Sequence, residues 1–176
     1  MAIGVQSVLR AAIAVLVALC LAGVTNGVAH GAGIPGDFDF YVLALSWSPG
    51  FCDTAGADKA YAQCASGAHL GFVVHGLWPQ YRHGFAEDCG GIASPSRFAL
   101  ETVKGLYPDL GLARYEWSKH GTCSGKSPSD YFAAVRKART AITVPPQFTS
   151  ARKIETWTPL DIERAFIAAN PRLRPG

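Results

Sequence analysis

Three side chains that can carry charge or exchange a proton lie close together in the segment Tyr115–Cys123, which reads YEWSKHGTC. If this segment is helical, Glu116, Lys119 and His120 stand at positions i, i+3 and i+4 and therefore share one face. Gly121 follows directly, as is typical of the residue just past a helix C-terminus. An acid, a cation and an imidazole on one stripe form either a solvated polar face or one wall of a catalytic site.

A second histidine lies towards the end of an apolar stretch, in the sequence FVVHGLWPQ. Residues 70–78 read as a strand, and alternation along it places Val73, His75 and Leu77 on one face. In isolation, this histidine is equally well explained as a core residue bonded to a carbonyl. Taken with His120, it offers a pair of imidazoles that can divide proton transfer between a base and an acid.

Such a pair suits phosphoryl transfer from a 2′-hydroxyl. One imidazole takes the 2′-hydroxyl proton as the oxygen attacks phosphorus, and the other gives a proton to the departing 5′ oxygen. Negative charge builds on the phosphoryl oxygens, so an ammonium such as that of Lys119 acts most strongly in the transition state. This chemistry needs no metal, and the acids near the two motifs are few for a metal site. The substrate would be RNA and not DNA, because only RNA carries the internal nucleophile.

The N-terminal residues are typical of a secretory signal peptide. Arg10 is the only charged residue before an apolar run that is too short to span a bilayer. Small residues follow, and cleavage after Ala29 or after Ala32 fits the pattern equally well. We therefore expect a signal peptide at residues 1–32 and a single domain at residues 33–176. The mature protein is expected to be secreted or periplasmic, without membrane association after cleavage.

Removing the signal peptide leaves an even number of cysteines, namely Cys52, Cys64, Cys89 and Cys123. In an exported chain this count predicts two disulfides. Four cysteines allow three pairings, of which we favour Cys52 with Cys64 and Cys89 with Cys123. No C-x-x-C pair is present, which argues against a zinc knuckle or a redox motif. The net charge of +3 falls to +2 with the loss of one basic residue, too mild to indicate a surface that coats nucleic acid.

Helices and strands follow one another in no regular alternation, which predicts an α+β fold. Residues 38–47 are almost continuously apolar, a pattern that suits a central strand covered on both faces. Helix caps are predicted at Ser94, Ser127 and Thr158, each followed by proline, and the first of these helices would place Phe98 towards the core. We expect a central antiparallel sheet with helices packed on it. Because so few strands are found before the chain ends, we expect that sheet to lack its C-terminal strands.

At its two histidine motifs the sequence resembles the ribonuclease T2 family. FVVHGLWPQ is similar to the first active-site segment of that family, and EWSKHGTC is similar to the second. The similarity runs from about Phe38 to Arg172 and includes LSWSPGFC, which is similar to the family's first strand and first half-cystine. Members of the family usually continue into further strands and cysteines. The resemblance therefore implies an endoribonuclease whose chain is truncated at the C-terminus.

The resemblance also implies roles for the four proposed catalytic residues. His75 matches the histidine assigned as the general acid towards the leaving 5′ oxygen, and His120 matches the general base towards the 2′-hydroxyl. Glu116 and Lys119 match the pair that polarises the phosphate and stabilises the pentacovalent state. The charge of Lys119 favours a neutral His120, whereas the charge of Glu116 opposes it, and the sequence does not decide between them.

Three further residues are implied in substrate binding. Trp78 matches an aromatic residue that stacks on a base, a contact with little sequence preference. Gln80 occupies a position where family members vary in their base contacts. Tyr115 stands where many members have a histidine that helps to hold the phosphate. Since tyrosine is uncharged at neutral pH and donates one hydrogen bond, weaker phosphate binding is expected with the mechanism retained.

The leading hypothesis is a secreted endoribonuclease that cleaves single-stranded RNA to 2′,3′-cyclic phosphates with low base specificity. It is expected to act as a monomer, without a metal or another cofactor. The alternative is a catalytically weakened member of the family that binds RNA or a protein partner. A third hypothesis is a metal-dependent hydrolase using His69, His75, His83 and His120.

Overall fold

The described part of the chain is built on a pair of antiparallel strands. The computed structural model describes residues 33–56, 62–90, 94–150 and 156–175, so the predicted signal peptide lies outside it. Strand β1 spans Phe40–Trp47 and strand β2 spans Phe72–Gln80. They pair along their full lengths, from Phe40 opposite Gln80 to Trp47 opposite Phe72. Both predicted strands are confirmed, each starting two residues later than expected.

A bulge interrupts the pairing at the first motif histidine. Ala44 pairs with Gly76, but the next residue, Leu45, pairs with Val74, so His75 is the extra residue on β2. An extra residue breaks the period-two alternation of a strand. The predicted common face of Val73, His75 and Leu77 is therefore wrong for Leu77, whereas Val73 and His75 do lie together. Instead, Val74 and Leu77 are both buried in the same core, although they are three residues apart.

The loop after β1 is held by one disulfide, and a second lies further along the chain. A short helix, α1, spans Ser48–Phe51 and is followed by a π-type turn at Cys52–Gly56 and a 3₁₀ turn at Ala62–Cys64. The first disulfide joins Cys52 to Cys64 across these turns. The second joins Cys89 to Cys123. Both predicted pairings are confirmed.

Four helices follow β2 in the described part of the chain. These are α2 at Arg97–Glu101, α3 at Leu110–Lys119, α4 at Pro128–Thr140 and α5 at Pro159–Ala169, with 3₁₀ turns at Gly121–Ser124 and Pro146–Phe148. Each helix starts at a side chain that accepts a hydrogen bond from the backbone N–H three residues on, namely Ser96, Asp109, Ser127 and Thr158. The predicted caps at Ser127 and Thr158 are confirmed. The predicted cap at Ser94 is wrong by two residues.

The position of Phe98 also differs from the prediction. Its side chain is 77% exposed, while Ala99, Leu100 and Val103 on the same segment are buried. Residues two apart on a helix point about 200° apart, so a helix that buries Leu100 turns Phe98 towards solvent. None of the described helices has the length and apolar character needed to cross a membrane.

The core lies between β2 and the helices that pack on it. Its largest buried side chains include Trp117 from α3 and Tyr131 and Phe132 from α4. Within β1, by contrast, no residue is fully buried, and Phe40 and Val42 are 46% and 37% exposed. The prediction that β1 is covered on both faces is therefore wrong. Its neighbour in the described sheet is β2 alone, which leaves part of its surface uncovered.

This arrangement is an α+β fold with an antiparallel sheet, two disulfides and helices packed on the sheet, as the sequence predicts. The sheet contains two strands in the described part of the chain. The further C-terminal strands stay a prediction.

Candidate active site

The β2 bulge presents the His75 side chain to polar groups from two other elements. Its Nδ1 atom lies 2.8 Å from the hydroxyl oxygen of Ser46 on β1. Its Nε2 atom lies 3.4 Å from Oε1 of Glu116 on α3, and the side chain remains 41% exposed. Partial burial lowers the pKa of His75 by disfavouring the charged ring. The ring is therefore both anchored and accessible.

Glu116 is the buried acid of this cluster. It is 1% exposed, and its Oε2 atom accepts a hydrogen bond of 2.7 Å from the indole N–H of Trp78. Burial raises the pKa of Glu116 to about 7, while the Trp78 hydrogen bond opposes the increase. A carboxyl group with such a pKa changes its protonation state between acidic and neutral pH.

Gly76 is required where Trp78 and Glu116 meet. A Cβ atom at this position would overlap Oε2 of Glu116 and Nε1 of Trp78. Relieving this overlap would cost stability, because both atoms belong to one hydrogen bond and the Glu116 side chain is buried. The glycine between the motif histidine and the motif tryptophan thus makes room for the Trp78–Glu116 contact.

The Trp78 ring contacts both histidines. Its centroid lies 5.7 Å from that of His75, in an edge-on arrangement, and 5.2 Å from that of His120. The two motifs, which are distant in sequence, are therefore joined through one indole. Trp78 lies beside both imidazoles and donates its N–H to Glu116, so it connects His75, Glu116 and His120.

His120 closes helix α3, where its backbone N–H donates a hydrogen bond of 2.9 Å to the carbonyl oxygen of Glu116. Burial lowers the pKa of its imidazole, and the positive charge of Lys119 acts in the same direction. The Ala86 backbone and the charges of Glu87 and Asp88 oppose this shift without reversing it. The neutral form of His120 is therefore favoured. The sequence left the protonation state of His120 open, and burial decides it.

Lys119 forms ion pairs with two acidic residues of the loop before Cys89. Its ammonium lies 2.5 Å from Oδ2 of Asp88 and 3.0 Å from Oε2 of Glu87, and these carboxylates raise its pKa. The backbone contributes to this arrangement, since the Asp88 N–H donates to the Lys119 carbonyl oxygen at 2.8 Å. Within the predicted group of Glu116, Lys119 and His120, the structure therefore buries the acid and pairs the lysine with the loop before Cys89.

A cavity of about 440 Å³ opens beside the histidine on β2. His75, Ser46, Gln63 and Tyr115 are among its lining residues, and Tyr115 is 59% exposed. Gln80 ends β2 and is not among the residues that line this cavity. The structure thus brings Tyr115 to the cavity beside His75, but not Gln80.

Sequence reasoning missed Ser46, Gln63, Glu87 and Asp88. Ser46 had a detectable signal, because a hydroxyl is unusual within the otherwise apolar run of β1. Glu87 and Asp88 had none, since their proximity to Lys119 depends on the path of a loop.

Among the residues that the structure describes, no three His, Cys, Asp or Glu side chains are gathered as a metal site would require. The four-histidine metal hypothesis is therefore not supported.

The raised pKa of Glu116 predicts a pH-dependent stability. The folded state keeps the proton up to about pH 7, whereas the unfolded state releases it near 4.5. Between these values the folded state holds more protons, so the free energy of unfolding falls as pH rises. We expect wild type to lose stability relative to Glu116→Gln between pH 4.5 and 7 by a few kcal/mol at most, since one pH unit is worth about 1.4 kcal/mol. Urea unfolding of both proteins at pH 4.5, 6 and 7.5 measures this; a constant difference would contradict it.

Comparison with known proteins shows a family that this sequence matches. The model of the Ribonuclease T2 family matches residues 38–156. A ribonuclease of Aeromonas hydrophila is 44% identical over 119 residues, which cover 68% of this chain and 53% of that protein. Ribonuclease I of Escherichia coli K12 is 31% identical over an alignment of 150 positions, and the match covers 62% of this chain and 56% of that protein.

Solved structures show the same fold. The crystal structure of RNase NT in complex with 5′-AMP aligns with a TM-score of 0.60 and 25% identity, covering 76% of this chain and 73% of that one. The chain spans about half the length of the curated relatives named here. The family match covers both histidine motifs and the strand and helix that carry them, and from this we conclude that the chain belongs to the ribonuclease T2 family.

Proposed function

We propose that the protein is an endoribonuclease that cleaves single-stranded RNA by transesterification and leaves a 2′,3′-cyclic phosphate. The observation that carries this proposal is the cluster in which Trp78 contacts both His75 and His120 while binding the buried Glu116. The open cavity beside His75 offers space for part of the substrate. Relatives named as ribonucleases, and a similar structure that holds 5′-AMP, support an RNA substrate.

In this reaction the 2′ oxygen attacks phosphorus and the bond from phosphorus to the 5′ oxygen breaks. His120 takes the 2′-hydroxyl proton, which requires a neutral imidazole, and burial favours that form. His75 supplies a proton to the leaving 5′ oxygen, which requires a charged imidazole. The two histidines exchange their protonation states during the step, and hydrolysis of the cyclic phosphate or proton exchange with water restores them.

Glu116 and Lys119 act on the phosphoryl oxygens in this proposal. Below about pH 7 the Glu116 carboxyl is protonated, so it can donate a hydrogen bond to a developing negative charge. Lys119 is bound to Glu87 and Asp88. An incoming phosphate must therefore compete with two carboxylates for this ammonium.

The remaining features of the proposal follow the family resemblance. We propose low base specificity, because Trp78 provides a stacking surface that any base can use. We also propose export to the periplasm or the exterior after removal of residues 1–32, action as a monomer and no requirement for a cofactor. The two disulfides support an oxidising compartment.

The function is tested by the nature of the products. The purified mature chain, incubated with single-stranded RNA and with DNA of the same sequence in EDTA, is expected to cleave the RNA alone. The expected ends are 2′,3′-cyclic phosphate and 5′-hydroxyl, analysed by mass spectrometry. Full activity in EDTA is expected because the two histidines perform the proton transfers. Loss of cleavage on chelation, or cleavage of DNA, would exclude this mechanism.

The pH dependence of the rate gives a second test. Burial lowers the pKa of both His75 and His120 below the ordinary value of 6.5. Deprotonation of His75, which removes the general acid, therefore occurs below pH 6.5. Deprotonation of His120, which creates the general base, also occurs below pH 6.5. We expect a bell-shaped profile of kcat/KM with its maximum on the acid side of pH 6.5, measured on a dinucleoside monophosphate. A maximum at pH 7 or above would be inconsistent with these assignments.

A second candidate is a weakened family member that binds RNA or a protein partner. Two features favour it: Tyr115 lines the cavity at a position where the family resemblance implies a histidine, and Lys119 is bound by two carboxylates. Retention of a labelled RNA without formation of cyclic phosphate ends would support this candidate over the enzyme.

A further inference from the structure

Among the described residues, the hydroxyl of Ser46 makes the closest polar contact with the His75 ring. Its oxygen lies 2.8 Å from Nδ1, a distance typical of a strong hydrogen bond. Ser46 belongs to β1 and pairs with Val73, while His75 is the extra residue of the bulge on β2. The bulge therefore brings the Ser46 side chain into contact with the ring of His75, which lies two positions after the residue that Ser46 pairs with.

The two nitrogens of the ring have different surroundings. Nδ1 faces the neutral hydroxyl of Ser46, whereas Nε2 faces the carboxyl of Glu116 at 3.4 Å. Glu116 on α3 is therefore a titratable group in contact with this ring. Which nitrogen of a histidine carries the proton is set by the hydrogen bond that the other nitrogen makes.

We propose that Ser46 is a positioning residue that accepts a hydrogen bond from Nδ1–H of His75 and so reserves Nε2 for proton transfer. This inference rests on the role proposed above for His75. A hydroxyl oxygen accepts the Nδ1–H bond both when the ring is charged and after Nε2 has released its proton. The ring therefore keeps one orientation through the reaction, and its exchangeable proton stays on the nitrogen beside Glu116.

The proposal predicts an unusual tautomer. In the neutral ring of wild type, the proton is expected on Nδ1, which ¹⁵N chemical shifts of labelled histidine report directly. In Ser46→Ala, the shifts of His75 should move towards the Nε2–H form. Ser46→Thr retains the hydroxyl and suits a strand, so it should restore the wild-type shifts.

The kinetic expectation is a loss in kcat with little change in KM, because a reoriented ring impairs proton transfer and not substrate binding. We expect Ser46→Ala to lower kcat by about 10- to 100-fold, by analogy with partners that orient metal-bound histidines, and Ser46→Thr to recover most of it. Ser48→Ala is the matched control. Its hydroxyl is buried two residues away and has no hydrogen-bond partner among the described residues, so its removal should leave kcat unchanged.

The outcomes separate this inference from the function itself. Wild-type shifts and wild-type kcat in Ser46→Ala would overturn it. A rise in KM at constant kcat would also overturn it, since Ser46 would then contact substrate and not position His75. If wild type fails to cleave RNA, the tautomer measurement still decides the role of Ser46, while the proposed function fails by itself.

Discussion

Replacing either motif histidine with alanine should lower kcat for RNA cleavage by about 10²- to 10⁴-fold, the usual contribution of a positioned acid or base. His75→Ala removes the proton donor to the 5′ oxygen, and His120→Ala removes the acceptor of the 2′ proton. Because both act in one step, the double variant should be little slower than the slower single variant. Initial rates on a dinucleoside monophosphate measure all three.

His83→Ala is the control for these variants. This histidine is exposed and lies outside the cluster around Trp78, so its removal should leave the rate unchanged. Near-normal turnover in His75→Ala or in His120→Ala would remove the two-histidine mechanism. Thermal unfolding of each variant distinguishes loss of chemistry from loss of the fold.

Gly76→Ala should disrupt both the site and the stability of the protein. The added methyl group would overlap the Glu116 carboxyl and the Trp78 indole nitrogen. Overpacking costs about 1–3 kcal/mol, and a buried polar group that loses its partner costs about 1–3 kcal/mol more. We expect the free energy of unfolding to fall by about 2 kcal/mol or more, and cleavage to fall with it because Trp78 contacts both histidines.

Two further variants serve as controls for Gly76→Ala. Trp78→Phe removes the hydrogen bond to Glu116 without adding volume near the backbone, so it isolates the contribution of that bond. Gly50→Ala is the matched control, because a Cβ atom there would make only an ordinary contact of 3.4 Å with Trp47. If Gly76→Ala unfolds at the same urea concentration as Gly50→Ala, the close approach at Gly76 does not limit stability.

Local sequence patterns predicted the parts of this fold that depend on neighbouring residues. The caps at Ser127 and Thr158 were predictable because they depend on only four neighbouring residues. The hydroxyl accepts a hydrogen bond from a backbone N–H of the first turn, and the following proline suits the first helical position. The same rule failed at Ser94, where a second serine two residues later caps the helix instead. Long, apolar β1 and β2 were recognisable from composition, but the exposure of β1 depends on what packs against it.

The sequence by itself determined the chemical groups of the site, the two strands and the residues that form the disulfides. Tertiary structure decided how those groups face one another. The one-residue bulge at His75 interrupts the side-chain alternation of β2 and brings the His75 ring into contact with Ser46. Helical spacing places Glu116 near Lys119 along α3, yet packing against Trp78 buries the acid while the loop before Cys89 binds the lysine. The spacing of residues along a helix or strand predicts only which side chains share a face of that element. Which groups those side chains contact depends on the other elements that pack against it.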